Sequence, residues 1–148
     1  MNSPLQLEHY FFERMSCIAN SAITFEQVEE WRNGDDSRFK LRVGLANNPD
    51  IDREYQVRVE IETNDALADS SPYQLDFSAV GFFVVDPEFE HDDIERLVRT
   101  NGASVLFSAM RELVTIVTSR APWGPVMLPT VNFRLLAPSE SENSDSAE

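Results

Sequence analysis

Residues 38–63 read RFKLRVGLANNPDIDREYQVRVEIET, and the alternation within this stretch decides the fold class. Phe39, Leu41, Val43 and Leu45 share one face of an extended segment, while Arg38, Lys40, Arg42 and Gly44 share the other. After the turn signal Asn47-Asn48-Pro49-Asp50, Arg53–Thr63 repeats the pattern with Tyr55, Val57, Val59 and Ile61 inward and Gln56, Arg58, Glu60 and Glu62 outward. The spacing predicts a β-hairpin that is apolar on one face. Arg or Lys of the first strand and Glu of the second should pair across it.

Two further extended segments flank this hairpin. Residues 5–18 (LQLEHYFFERMSCI) alternate loosely, with Leu5, Leu7 and Phe11 on one side, and read as a strand with a broken pattern. Residues 73–85 alternate through Tyr73, Leu75 and Phe77, then turn apolar on both faces from Ala79 to Val85. Such a strand end must be covered on both sides, and Gly81 within it marks a bulge or a close backbone approach. Residues 21–36 are polar around Trp31 and close on Asn33-Gly34-Asp35-Asp36, so an irregular connection or bulged edge is expected there.

The helical signal lies further on. Asp92–Thr100 reads as a short helix with Asp92 and Glu95 at capping-box spacing, ended by Asn101-Gly102. Ala103–Arg120 (ASVLFSAMRELVTIVTSR) is the strongest helix of the chain. At about 100° per residue, Ser104, Ser108, Arg111, Glu112, Thr115 and Ser119 fall in one polar arc. Val105, Leu106, Ala109, Met110, Leu113, Val114, Ile116 and Val117 fill about 200° more, twice the stripe that a surface helix needs. A second copy across a two-fold axis is the simplest second cover, so an oligomer is expected, with Val105, Leu106, Ala109, Met110, Leu113, Ile116 and Val117 at its interface. A stiff loop with Trp123, Val126, Met127 and Leu128 follows, then a short apolar segment at 131–136 ended by Pro138. Residues 1–137 are expected to form one domain and residues 138–148, acidic and of low complexity, a disordered tail.

Composition excludes several functions. Twelve basic against 26 acidic residues give a formal net charge of −14, with no basic stripe for nucleic acid or anionic lipid. The longest apolar run, Ala79–Val85, is far short of a membrane span. The first residues lack a cationic region before an apolar core, and Cys17 is the only cysteine. A cytoplasmic protein is expected. No nucleotide, cofactor or zinc-protease motif is present. Cys17 with His9 or His91 could form a nucleophile and base, but His9 and Cys17 eight residues apart on a strand would lie about 26 Å from each other. His91, Asp92, Asp93 and Glu95 read better as a helix start than as metal ligands. No catalytic residue, metal or cofactor is assigned. What remains is surplus apolar surface, which marks either an interaction site or an oligomer interface.

From Gly102 to Leu136 the order VLFSAMRELVTIVTSR, a Pro/Trp loop and LPTVNF resembles the SecB family of protein-export chaperones. Val80-Gly81-Phe82-Phe83 matches the family's strand ending in Gly-x-Phe. Trp31 followed by Phe39-Lys40-Leu41-Arg42-Val43 matches its Trp and alternating strand. The resemblance implies an α+β fold: a four-stranded antiparallel sheet with a long helix on one face, assembled as a dimer of dimers. It implies an ATP-independent holdase that binds unfolded polypeptides in hydrophobic grooves and delivers preproteins to SecA. Groove residues carried over are Trp31, Phe39, Leu41, Val43, Val131, Phe133 and Leu136, with Asp76 on the acidic SecA-binding face. The chain departs from the pattern at Ser108, where the family has Pro, at Pro138, which shortens the segment where a second helix would follow, and at Arg14 and Ile18, where first-strand acids belong. A chaperone for one dedicated client such as an antitoxin, or an adaptor of the same fold with no chaperone activity, are the alternatives.

Overall fold

The computed structural model describes residues 2–136; the expected tail at 138–148 lies outside the described residues. Four strands, β1 (Leu5–Ala19), β2 (Phe39–Asn47), β3 (Glu54–Thr63) and β4 (Tyr73–Val85), form one antiparallel sheet in the order β1-β4-β3-β2. The hairpin forms as its alternation requires, with Val43 opposite Val59 and Leu41 opposite Ile61. One long helix packs on a single face of the sheet, so the architecture is α+β.

β1 owes its broken pattern to two register shifts, between Leu7 and His9 and between Phe12 and Arg14. Each shift restores the phase, so Leu5, Leu7, Tyr10, Phe12, Met15 and Cys17 pair with the helix-side residues of β4. Phe11, expected beside Leu5 and Leu7, pairs with Val80 on the opposite face instead. The segment 21–36 is not an irregular edge but contains α1 (Phe25–Arg32). Its Thr24 side chain accepts from Gln27 N while Gln27 Oε1 accepts from Thr24 N, a closed capping box.

Asn101-Gly102 does not end a helix. α2 runs unbroken over Ile94–Ser119, and its N-cap is Asp93, which accepts from Arg96 N at 3.0 Å, rather than Asp92. Gly102 is buried because the helix presses on the sheet there: a β-carbon would lie 2.9 Å from Val57 Cγ2. Gly81 does the same from the strand side, where a β-carbon would lie 2.8 Å from Leu106 Cδ2 and 2.9 Å from Phe83 Cε2. Gly81 is thus the close approach anticipated for it. The doubly apolar end of β4 is covered by α2 on one side; on the other, the cross-strand neighbours Phe11 and Arg58 flank buried Val80, while Phe82 and Val84 stay half-buried.

Gly81→Ala should therefore destabilise the protein by about 2 kcal/mol, the cost of forcing one extra carbon into a full core. Urea denaturation at fixed protein concentration, with an unchanged slope and a lowered midpoint, checks it.

Candidate functional site

The seven residues assigned to a groove differ in burial. All belong to the apolar cluster between the sheet and α2. Trp31, Val43 and Phe133 are buried within the single chain, whereas Phe39, Leu41, Val131 and Leu136 are half-buried at its margin. The set is thus three buried residues and four half-buried ones. Trp31 meets Phe39 edge-on, with ring centroids 5.6 Å apart, and the Arg38 guanidinium lies 4.9 Å over the Trp31 ring. Phe133 meets Phe107 of α2 edge-on at 5.5 Å. A cleft of about 280 Å³ opens beside Trp31, lined by Gln27, Glu30, Asp35, Arg38 and Leu67.

The chain after α2 turns back and runs antiparallel to it as a strap. Val126 N donates to Thr118 Oγ1 at 2.8 Å, Arg111 donates to Pro129 O at 3.2 Å, and Arg99 donates to Leu136 O at 3.2 Å. Arg111 and Thr115, placed by periodicity in the polar arc, face this strap. Tyr73 pins its start: the hydroxyl donates to Gly124 O at 2.9 Å and accepts from Trp123 N at 2.8 Å. Burial pushes the Tyr73 hydroxyl pKa up, so it stays a neutral donor at physiological pH. Trp123 Nε1 donates to Asn20 O, and Arg32 donates to Trp123 O, tying the strap to β1 and α1. Neither Tyr73 nor Trp123 was singled out from sequence for this role, because a hydroxyl bonding a distant loop leaves no periodic trace.

The residues expected at an oligomer interface divide in two. Leu106 and Met110 are buried against the chain's own sheet and offer nothing to a partner; this corrects their assignment. Val105 (46 % exposed) and Ile116 (52 %) stand open, with Ala109, Leu113 and Val117 half-buried beside them. Tyr10 and Met15 of β1, on the same face of the sheet, are also exposed.

The opposite face of the sheet is polar over much of its area. Arg14 Nε lies 3.2 Å from Asp76 Oδ1 and Arg14 Nη2 lies 3.4 Å from Glu60 Oε1, while Arg58 reaches Glu13 at 2.9 Å. Burial works against the Arg14 charge, but Asp76 and then Glu60 outweigh it and raise its pKa. Arg42 pairs with Glu62, and Lys40 with Asp65 beyond the hairpin, both at exposed positions. Cys17 pairs with helix-side Leu75, and His9 with Phe82 on the other face, so the two cannot act together. Burial pushes the Cys17 thiol pKa up, away from a reactive thiolate. His91 Nδ1 accepts from Asp93 N at the start of α2.

Sequence comparison identifies the scaffold. The profile of the family described as "Preprotein translocase subunit SecB" matches residues 5–143. The chain belongs to the SecB family. Among curated relatives, the protein-export protein SecB of Anaplasma phagocytophilum is 28 % identical over 94 residues, covering 62 % of this chain and 60 % of the relative. That of Nitrosococcus oceani is 22 % identical over 128 residues, covering 86 % and 75 %. The fold is that of a SecB-like chaperone from Mycobacterium tuberculosis, solved in complex with a ChAD peptide from the HigA1 antitoxin. That match has a TM-score of 0.60 at 18 % identity over 86 % of this chain and 90 % of the other. No helix among the described residues of this SecB-family chain is long and apolar enough to cross a membrane.

Tyr73→Phe removes both Tyr73 bonds to the strap and leaves the part-buried Trp123 N–H unpaired. It should cost about 1–3 kcal/mol and speed amide exchange at Trp123 and Gly124, read by hydrogen–deuterium exchange.

Proposed function

We propose that this SecB-family chain is an ATP-independent holdase of the cytoplasm, which shelters unfolded polypeptides on the helix side of its sheet. One observation carries the reading: Phe39, Leu41, Val131 and Leu136 stand half-buried against the apolar cluster that buries Trp31, Val43 and Phe133. Apolar side chains that folding leaves half-buried gain from covering by another apolar chain, at about 25 cal/mol per Å² removed from water. No step of this needs a nucleotide or a bond change. Several weak sites around one assembly give avidity without sequence specificity. The open stripe on α2 with Tyr10 and Met15 of β1 supports an assembly of copies, and a dimer of dimers is the form proposed. The net charge of −14 keeps such a surface soluble.

A second reading concerns the client. The family resemblance assigns SecA docking to the acidic sheet face, yet here Asp76 and Glu60 are engaged by the chain's own Arg14. A basic partner must compete with an internal cation. This favours a chaperone for a dedicated client over an export factor, and the antitoxin peptide held by the M. tuberculosis SecB-like chaperone is a client of that kind.

The holdase reading is tested by mixing the protein with a denaturant-unfolded polypeptide and following light scattering, with and without ATP. Aggregation should be suppressed equally in both, and Leu41→Glu with Val131→Glu should weaken client capture at least tenfold while leaving the circular dichroism unchanged. No suppression by the wild type would overturn it. For the second reading, purified SecA should bind the wild type poorly, and Arg14→Glu should tighten binding several-fold by freeing Asp76. Tight SecA binding by the wild type would contradict it.

A further inference from the structure

The strap carries an open backbone edge that the assigned side chains do not account for. Val126 and Leu128 are buried and Met127 between them is 72 % exposed, the alternation of an extended chain lying on a core. Both peptide groups of Val126 turn toward α2: its N–H donates to Thr118 Oγ1 at 2.8 Å, and its C=O accepts from Thr115 Oγ1 at 3.3 Å. In an extended chain the N–H and C=O of neighbouring residues point to opposite edges. Those of Met127 therefore point away from α2, and among the described residues they have no hydrogen-bond partner. A donor and an acceptor on one residue, set side by side on an extended chain, match the same pair on another extended chain.

We propose that the Met127 peptide edge is where a bound client adds its backbone, exchanging one N–H···O=C pair in each direction with the strap. This rests on the holdase reading and specifies the client's conformation: extended at this point, with alternate side chains turned toward the half-buried Leu41, Phe39 and Val131. The edge is short. Pro125 and Pro129 bracket it without an N–H to give, and Pro129 O is already taken by Arg111. A template one residue pair long can hold a chain in passing without nucleating a growing sheet, the hazard of a long open edge.

Met127→Pro deletes the donor and suits an extended backbone, since the N–H and C=O of Val126 lie on one side, as in the extended chain that a following proline favours. Met127→Ala deletes only the side chain. The probe is a fluorescein-labelled, soluble, unstructured peptide carrying leucine and phenylalanine among serine and lysine, read by fluorescence anisotropy. Met127→Ala should bind within twofold of wild type, and Met127→Pro about fivefold more weakly, the effect of one net hydrogen bond. Hydrogen–deuterium exchange on the wild type gives a second reading that needs no variant: the Met127 amide should exchange fast alone and slow with saturating peptide. Equal binding by the proline and alanine variants, or a Met127 amide indifferent to saturating peptide, would overturn the edge while leaving the groove intact. A wild type that binds no peptide would overturn both.

Discussion

Everything on the helix side depends on how closely α2 can approach β3 and β4. Two glycines set that distance, Gly81 beneath Leu106 and Gly102 above Val57 and Phe83, and at each a single added carbon would lie under 3 Å from a buried side chain. At that spacing Leu106, Met110 and Val114 seal against the sheet. The flanks of the same helix are left for other tasks. One carries the exposed Val105 and Ile116; the other receives the strap through Arg111, Thr115 and Thr118. A helix seated further out would bury neither the sheet's apolar face nor the underside of the strap.

The strap closes the core. Val126, Leu128 and Phe133 complete the interior, and the path that buries them leaves Val131 and Leu136 half-buried. Its anchors are polar and directional, whereas the surface that it borders is apolar and undirected. On the far face, Arg14 and Arg58 draw carboxylates from three strands into ion pairs, each exposed enough to be worth about 1 kcal/mol or less. Their consequence lies in what they occupy rather than in stability.

Much of this was legible in the sequence where a period was intact. The β2–β3 hairpin follows from strict alternation, and β4 with its glycine follows from the change to an all-apolar run. The reading went astray where local signals and tertiary packing disagreed. Asn101-Gly102 is a stop signal by propensity, yet burial against Val57 keeps the helix going. α1 is short and polar, so periodicity missed it, although Thr24-x-x-Gln27 was there to be read. The residues that the family resemblance assigns to a groove all belong to the apolar cluster, three buried and four half-buried. Which of them are buried depends on the path of residues 121–136, held by Tyr73 and Trp123 through bonds to partners 50 or more positions away. No spacing rule reaches that far.

The central claim is that clients lie on the helix side, over the half-buried apolar residues, and not on the charged face of the sheet. A photoreactive benzophenone side chain placed in turn at Leu41, Val131 and Arg42, irradiated in the presence of an unfolded polypeptide, tests it directly. Leu41 and Val131 should crosslink to the client and Arg42, on the opposite face, should not. Crosslinking at Arg42 with none at the other two would place the client on the wrong side of the sheet and contradict the account.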